Sequence, residues 1–301
     1  MASGEASRFG ATSQLGQIFR VLVAVVACLV ISGSLYLIGL FLITPNAAEE
    51  WTIGRRPNQY FTDFKPEQRI LSDQTYGAIF GVAHNSGGSI EAILDAQING
   101  ADIIEADVVE LDGVLYVAHK PPLPFLGQRW FRGPRLDHAW AAASGADAVM
   151  LDLKESSPGY AQLVGDFLEY RSAYRQVIVS SRSHWVLRYL RERLPNAILL
   201  MSVPDEAGLT AMQNDALLMA VIDGITVRHT VLTTENAAWL VDHDLLIFAW
   251  TVNDLERANE LIRMGVDGIT SDNLAIVSLF GGETQGEQEL RPRSKVEGRG
   301  A

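Results

Sequence analysis

Glu105 and Asp107 stand two positions apart in the run Ile103-Ile104-Glu105-Ala106-Asp107-Val108-Val109-Glu110. In a strand both carboxylates project to one face, with Ile104, Ala106 and Val108 on the other. Two like charges on a buried face repel and are costly to desolvate unless a cation or a shared proton relieves them. Asp152, in Leu151-Asp152-Leu153-Lys154, offers a third carboxylate from a neighbouring strand. Three hard oxygen ligands completed by water suit Mg2+ or Ca2+ better than zinc. A solvated acidic patch is the alternative that the spacing leaves open, and the apolar neighbours favour the metal. His84 and His119 add proton transfer, since imidazole titrates nearest neutrality. His138, His184, His229 and His243 fall in or near helical segments and read as structural or solvent-facing, with His229 the least settled because it follows Arg228.

Holding these groups together requires a rigid frame, and the chain alternates short apolar runs with longer amphipathic ones. Strands are read at 79–85, 103–110, 148–154, 176–182, 197–203, 221–228, 246–252 and 268–272. A hairpin is expected to extend the second, through the turn at Asp112-Gly113 to Leu115-Tyr116-Val117-Ala118. Helices are read at 89–100, 159–174, 184–194, 234–244 and 254–265, with Ser89, Thr234 and Asp254 as caps and Gly100 and Gly265 as ends. Strands apolar on both faces and alternating with helices indicate a covered parallel sheet, and eight units indicate an α/β fold, the (β/α)8 TIM barrel. An open doubly wound sheet is the rival, but His84-Asn85-Ser86-Gly87-Gly88 does not fit its glycine-rich phosphate loop. Barrel enzymes place their chemistry at the carboxyl ends of the strands. His84, Glu105, Asp107, Asp152, Lys154, Ser181, Arg182, Arg228, Trp250, Asn253 and Asp272 all fall there, forming one polar ring, in which Asn253 and Asp272 read as caps.

The chain has 301 residues, 48% apolar and 20% charged, with 24 basic against 36 acidic side chains for a formal charge of -12. This hydrophobicity excludes a wholly disordered chain, and the acidic balance argues against a nucleic-acid partner. One cysteine allows neither a disulfide framework nor a cysteine zinc site. Residues 21–44 carry no charge and are long enough to cross a bilayer of roughly 30 Å as a helix. They read as a retained transmembrane helix behind a short tail, 1–20, rather than a signal peptide, whose apolar core is only about 7–15 residues. The expected arrangement is a single-pass cell-membrane protein with its catalytic domain outside the cytoplasm. A linker at 45–75 leads into a catalytic barrel at 76–282, and the polar 283–301 read as a disordered tail. Residues 51–282 hold a net -11 of the charge. No protein partner is inferable.

The motifs G-V-A-H-N, G-A-D-I-I-E-A-D-V-V-E-L-D-G-V-L-Y-V-A-H-K, L-D-L-K, A-W-T-V-N and G-V-D-G-I-T-S-D occur in that order between about Phe80 and Phe280. Together they resemble the glycerophosphodiester phosphodiesterase superfamily. The resemblance implies a barrel whose mouth holds a divalent metal on Glu105, Asp107 and Asp152. It also implies that His84 and His119 act on the phosphodiester as acid, base or nucleophile, and that Lys154 contacts the phosphate. The substrates implied are glycerophosphodiesters or phospholipid-derived headgroup diesters.

The chain departs from that pattern at His84-Asn85-Ser86, where members read His-Arg-Gly, and at Gly87-Gly88, where they read Glu-Asn. His119-Lys120 replaces His-Asp, and Asp152 replaces the commoner Glu. The His84-Asn85 opening and Asp152-Leu153-Lys154 are similar to the sphingomyelinase D branch of phospholipases, whose catalytic-loop cysteines this domain lacks. Headgroup release of that type is one alternative, and an inactive barrel that only binds a diester or lipid is another. With no arginine beside His84, Asn85, Lys120, Arg182 and Arg228 are the candidate substrate contacts. Trp250 lines the pocket or fills the barrel top. The segment from Lys120 to Arg135, rich in proline and aromatic residues, is a lid, an acyl-chain contact or a plain crossover.

Overall fold

The computed structural model describes residues 79–120 and 133–280, together with Val23, Val25 and Val26. Those three valines are helical and half exposed. The expected tail 1–20, the rest of the 21–44 span, the linker 45–75, the tail 283–301 and most of the Lys120–Arg135 segment lie outside the described residues. Among the described residues no helix is long and apolar enough to cross a membrane. The chain divides into two units, Met1–Trp51 and Thr52–Ala301, and the second contains the barrel.

All eight expected parallel strands form. They are β1 (Phe80–Ala83), β2 (Ile103–Leu111), β4 (Ala148–Leu153), β5 (Gln176–Ser181), β6 (Ile198–Val203), β7 (Gly224–Arg228), β8 (Leu246–Trp250) and β9 (Gly268–Ser271). Their order is β1-β9-β8-β7-β6-β5-β4-β2, and pairing of β1 with β2 closes the ring. The expected hairpin is β3 (Val114–Val117), antiparallel to β2. Its turn residues Asp112 and Gly113 both have positive φ, 52° and 77°, the backbone that Asp-Gly supplies to a tight hairpin.

Helices α1 (Ile90–Ile98), α2 (Leu136–Ala142), α3 (Pro158–Leu168), α4 (His184–Arg193), α5 (Glu206–Gln213), α6 (Ala216–Met219), α7 (Thr234–Asp242), α8 (Leu255–Arg263) and α9 (Leu274–Phe280) cover the barrel. Ser89 and Asp254 cap α1 and α8 as expected, while α7 is capped one residue earlier, by Thr233. The Thr233 hydroxyl accepts from Asn236 N and the Asn236 side chain accepts from Thr233 N, so the reciprocal box fixes the start. The helix expected over 159–174 stops at Leu168, its last buried apolar residue; a short 3-10 turn at Arg171–Ala173 follows, with Tyr170 and Tyr174 in solvent.

The strand registers sort the barrel interior into layers, each drawn from alternate strands. Phe80, Val82, Ile103, Ala148, Met150, Ile178, Ile198, Leu200, Leu246 and Phe248 form the lower, apolar plug. Gly268 makes room for it, since a Cβ there would lie 2.2 Å from the Phe248 ring. Above the plug the inward positions change character. Glu105, Ser180, Thr226 and Thr270 form a buried polar layer, with Ser180 and Thr226 hydrogen-bonded at 3.0 Å. His84, Asp152, Ser202 and Trp250 come next, and Asp107, Arg182, Arg228 and Asp272 edge the mouth.

The opposite end is stapled by acids that precede strands. Asp102 accepts from Gly81 N, Asp223 from Leu199 N and Asp267 from Ile247 N, at 2.7, 2.9 and 2.8 Å, each tying the strand after it to the preceding strand in the ring or chain. Asp102 and Asp267 belong to the Gly-Ala-Asp and Gly-Val-Asp blocks of the sequence. Their work is closure of the barrel, at the end remote from the mouth.

Candidate active site

Strand β2 carries Glu105 and Asp107 inward, only 4% and 3% exposed, and its register sets Asp107 directly beside Asp152 of β4. One oxygen from each of Glu105, Asp107 and Asp152 lies within 4.8 Å of the others. Lys154 closes over two of them, its Nζ 2.6 Å from Asp107 Oδ1 and 2.5 Å from Asp152 Oδ2. Glu105 Oε2 accepts from Asn85 N at 2.6 Å; Asn85 reaches it by taking a left-handed φ of 53°, which Asn tolerates better than most residues.

Charge follows this geometry. Burial, then the Asp107 charge, pushes the Glu105 carboxyl well above the usual carboxylate range. Burial also works against the Asp107 charge, but the His119 hydrogen bond and the Lys154 ammonium outweigh it and hold Asp107 at about 2. Lys154 is raised, because Asp152, Asp107 and Glu105 overcome its own burial. With all three acids ionised, the one ammonium would leave two negative charges to balance, an excess that the raised Glu105 carboxyl reflects. The oxygen-only donor set and that excess fit one hard divalent cation.

Each histidine is held by a carboxylate. His119 Nδ1 lies 2.6 Å from Asp107 Oδ2, and His84 Nδ1 lies 2.7 Å from Asp272 Oδ1. An ionised carboxylate only accepts, so Nδ1 carries a proton in both rings. Asp272 is held in turn. Asn253 Nδ2 donates to its Oδ2 at 2.8 Å, while Asn253 Oδ1 accepts from Asp272 N and from Ser271 Oγ. Asn253 and Asp272 therefore orient His84 and are not the simple caps expected. Asn85 Nδ2 stands 3.3 Å from His84 Nε2.

The remaining candidates edge the same mouth. Lys120 is exposed beside His119; Arg182 and Arg228 are exposed at the ends of β5 and β7. Trp250 is half buried, its Nε1 without a hydrogen-bond partner among the described residues, and the Arg228 guanidinium lies 5.5 Å from its ring centre. His184 binds Asp215 and His243 stacks on Trp239, both on helices outside the barrel. His229 is lowered by burial and by Arg257 and Arg228. The buried hydroxyls Ser180, Thr226 and Thr270 were no part of the sequence expectation.

Residues 147–276, covering six of the eight barrel strands, match the sequence model of the Glycerophosphoryl diester phosphodiesterase family. That span contains Asp152, Lys154, Arg182, Arg228, Trp250 and Asp272; His84, Glu105, Asp107 and His119 precede it. YhdW of Bacillus subtilis (strain 168), assigned as a glycerophosphodiester phosphodiesterase, is 28% identical over 126 residues, which is 41% of this chain. The match spans 52%, about half, of that relative's length. An Oleispira antarctica phosphodiesterase, solved in complex with the product sn-glycerol-3-phosphate, has the same fold with a TM-score of 0.55 at 17% identity. The match covers 67% of this chain and 95% of that one. A glycerophosphoryl diester phosphodiesterase structure from Silicibacter pomeroyi DSS-3 gives a TM-score of 0.57 at 17% identity, covering 69% and 95%. In sequence over six of its strands, and in fold, this barrel is similar to the glycerophosphodiester phosphodiesterases.

Proposed function

We propose that the barrel is a divalent-metal-dependent phosphodiesterase acting on glycerophosphodiesters or on the headgroup diesters of phospholipids and lysophospholipids. The observation that carries this reading is the meeting, at one mouth, of a three-carboxylate cluster with two histidines that carboxylates hold at Nδ1. The matched family and the product bound to the Oleispira protein support the substrate class.

Glu105, Asp107 and Asp152 would hold the ion, Mg2+ or Ca2+, which when bound supplies positive charge for the phosphoryl oxygens. Lys154, already among these acids, adds an ammonium on the same side. Asp272 and Asp107 aim His84 and His119 so that each presents Nε2 to substrate. One imidazole attacks phosphorus or takes the proton from an attacking hydroxyl, and the other, protonated, gives its proton to the departing alkoxide. Water completes the hydrolysis to a phosphomonoester and an alcohol. Asn85, Lys120, Arg182, Arg228 and Trp250 contact the substrate around this centre. The uncharged run 21–44 supports attachment to the cell membrane, with the barrel outside the cytoplasm.

The test is product analysis on glycerophosphodiesters, lysophosphatidylcholine and sphingomyelin with Mg2+, Ca2+ or chelator. Glycerol phosphate and free alcohol are expected, and chelation or Glu105→Gln should abolish turnover. Activity surviving both would overturn the metal-dependent reading; a cyclic or lipid phosphate product would favour the sphingomyelinase D-like alternative. Binding without turnover would favour the inactive one.

A further inference from the structure

Two arginines stand at the mouth, and like Arg263 at the end of α8 they form no ion pair among the described residues. In a chain where acids outnumber bases, Arg135, Arg188, Arg191, Arg193 and Arg257 all sit in ion pairs. Arg171 and Arg175 lie over aromatic rings and donate to backbone carbonyls. Arg182 and Arg228 have no carboxylate partner among the described residues, although four acids, Glu105, Asp107, Asp152 and Asp272, share the mouth with them. The ring order places them. β5 and β7 flank β6, which lies four places round the ring from β1; Arg228 on β7 thus stands opposite β2, while Arg182 follows β5, next to β4 and its Lys154. Arg228 on β7 faces β2 and Asp107 across the barrel; Arg182, one residue past β5, faces Asp272 beyond β9.

The surroundings on that side suit an anion. Arg228 is braced against the Trp250 ring, which restrains its guanidinium without neutralising it. The inward position between the arginines on β6 is Ser202, and beneath them lie Ser180 and Thr226, all buried hydroxyls. Asp205, which follows β6 between the two arginine strands, turns its carboxylate onto Gly208 N as the cap of α5. A guanidinium pair over hydroxyls recognises phosphate or carboxylate by forked hydrogen bonds.

We infer that Arg182 and Arg228 form an anion subsite along the β5–β7 arc of the mouth, selecting diesters whose distal arm ends in a second anionic group. The inference rests on the phosphodiesterase reading and names its substrate class: a diester joining glycerol phosphate to an alcohol that itself carries a phosphomonoester or carboxylate. Because the subsite touches the arm and not the reacting phosphorus, its contribution appears in KM and leaves kcat nearly unchanged.

The experiment compares sn-glycero-3-phosphoglycerol with its terminal phosphomonoester and with the same diester carrying glycerate as the distal alcohol. Wild type should prefer the anionic diesters by about tenfold in kcat/KM, a figure held down by the exposure of both arginines. The phosphate and glycerate arms separate the two anion types. Arg182→Gln and Arg228→Gln should each reduce the preference. Arg263→Gln, at the end of α8 away from the mouth, should keep it. In parallel, binding of glycerol 1,3-bisphosphate and of sn-glycerol 3-phosphate is titrated calorimetrically in chelator, where the bisphosphate should lose its advantage in both mouth variants. An unchanged ratio in either variant overturns the two-arginine subsite while leaving the hydrolase intact. If wild type cleaves none of the diesters the hydrolase reading fails, and the titration still decides the subsite.

Discussion

Glu105→Gln should stabilise the metal-free protein while removing its response to metal. The side chain is 4% exposed and its carboxyl lies far above the usual range, chiefly through burial and then through Asp107. A group raised in this way favours the folded state below its unfolded pKa, near 4.5, and costs stability as pH rises from there towards the folded value. Glutamine keeps the volume, and its carbonyl oxygen keeps the hydrogen bond from Asn85 N. Only the buried charge is lost. Replacing buried ionic groups by neutral isosteres is worth up to about 1–4 kcal/mol, or roughly 2–10 °C in a barrel of this size. The assay is thermal unfolding at several pH values, in chelator and with millimolar Mg2+ or Ca2+. In chelator at pH 7 the variant should melt higher, and the gap should close near pH 4. With metal, wild type should gain about 2.7 kcal/mol at a hundredfold excess over Kd and the variant far less, reversing the order. A variant that melts lower in chelator, or gains as much from metal, refutes the reasoning.

Asp107→Asn should act in the opposite sense in chelator, costing roughly 2 kcal/mol at pH 7. Its carboxyl is held at about 2 by His119 and Lys154 against its burial, so its contribution is present above pH 3.8 and is lost as pH falls towards 2; urea unfolding between pH 2 and pH 7 reads this. Asp272→Asn should lower kcat about 10–100-fold with little change in Tm, because the amide no longer dictates which His84 nitrogen carries the proton; unchanged kcat would remove Asp272 from the site. Gly268→Ala should destabilise by about 1–3 kcal/mol in denaturant titration, since its methyl meets the Phe248 ring at 2.2 Å with no space at the barrel centre. Asp223→Ala should cost about 1–3 kcal/mol by leaving Leu199 N and the Arg191 Nη2 without this acceptor.

The barrel was legible because its strands are apolar on both faces and punctuated by turn chemistry that is local: Asp112-Gly113, Ser89 and Asp254 each declare themselves within a few residues. The carboxylate cluster was legible for a similar reason, since the two-residue spacing of Glu105 and Asp107 fixes their common face whatever surrounds them. Asp272 was read as a cap because its partner His84 is 188 residues away, and only closure of β9 onto β1 joins them. The glycine-acid blocks that helped recognition turned out to staple the far end of the barrel through Asp102 and Asp267. The hydroxyl layer escaped notice because a lone Ser or Thr in an apolar strand has no pattern of its own. It becomes a layer only when register aligns Ser180, Thr226 and Thr270. Helix ends were displaced where a side-chain cap or the last buried contact decided them, as at Thr233 and Leu168.

The bond between His84 and Asp272 joins the first strand of the ring to the last. During synthesis the chain emerges amino terminus first, so His84, Glu105, Asp107 and His119 leave the ribosome long before the carboxylate that aims His84. Until β9 inserts between β8 and β1, the ring has two open edges and His84 has no fixed tautomer. A chain cut short before residue 268 would keep the carboxylate cluster in its sequence and lose the orientation of its first histidine. The orientation of His84 is thus tied to completion of the barrel.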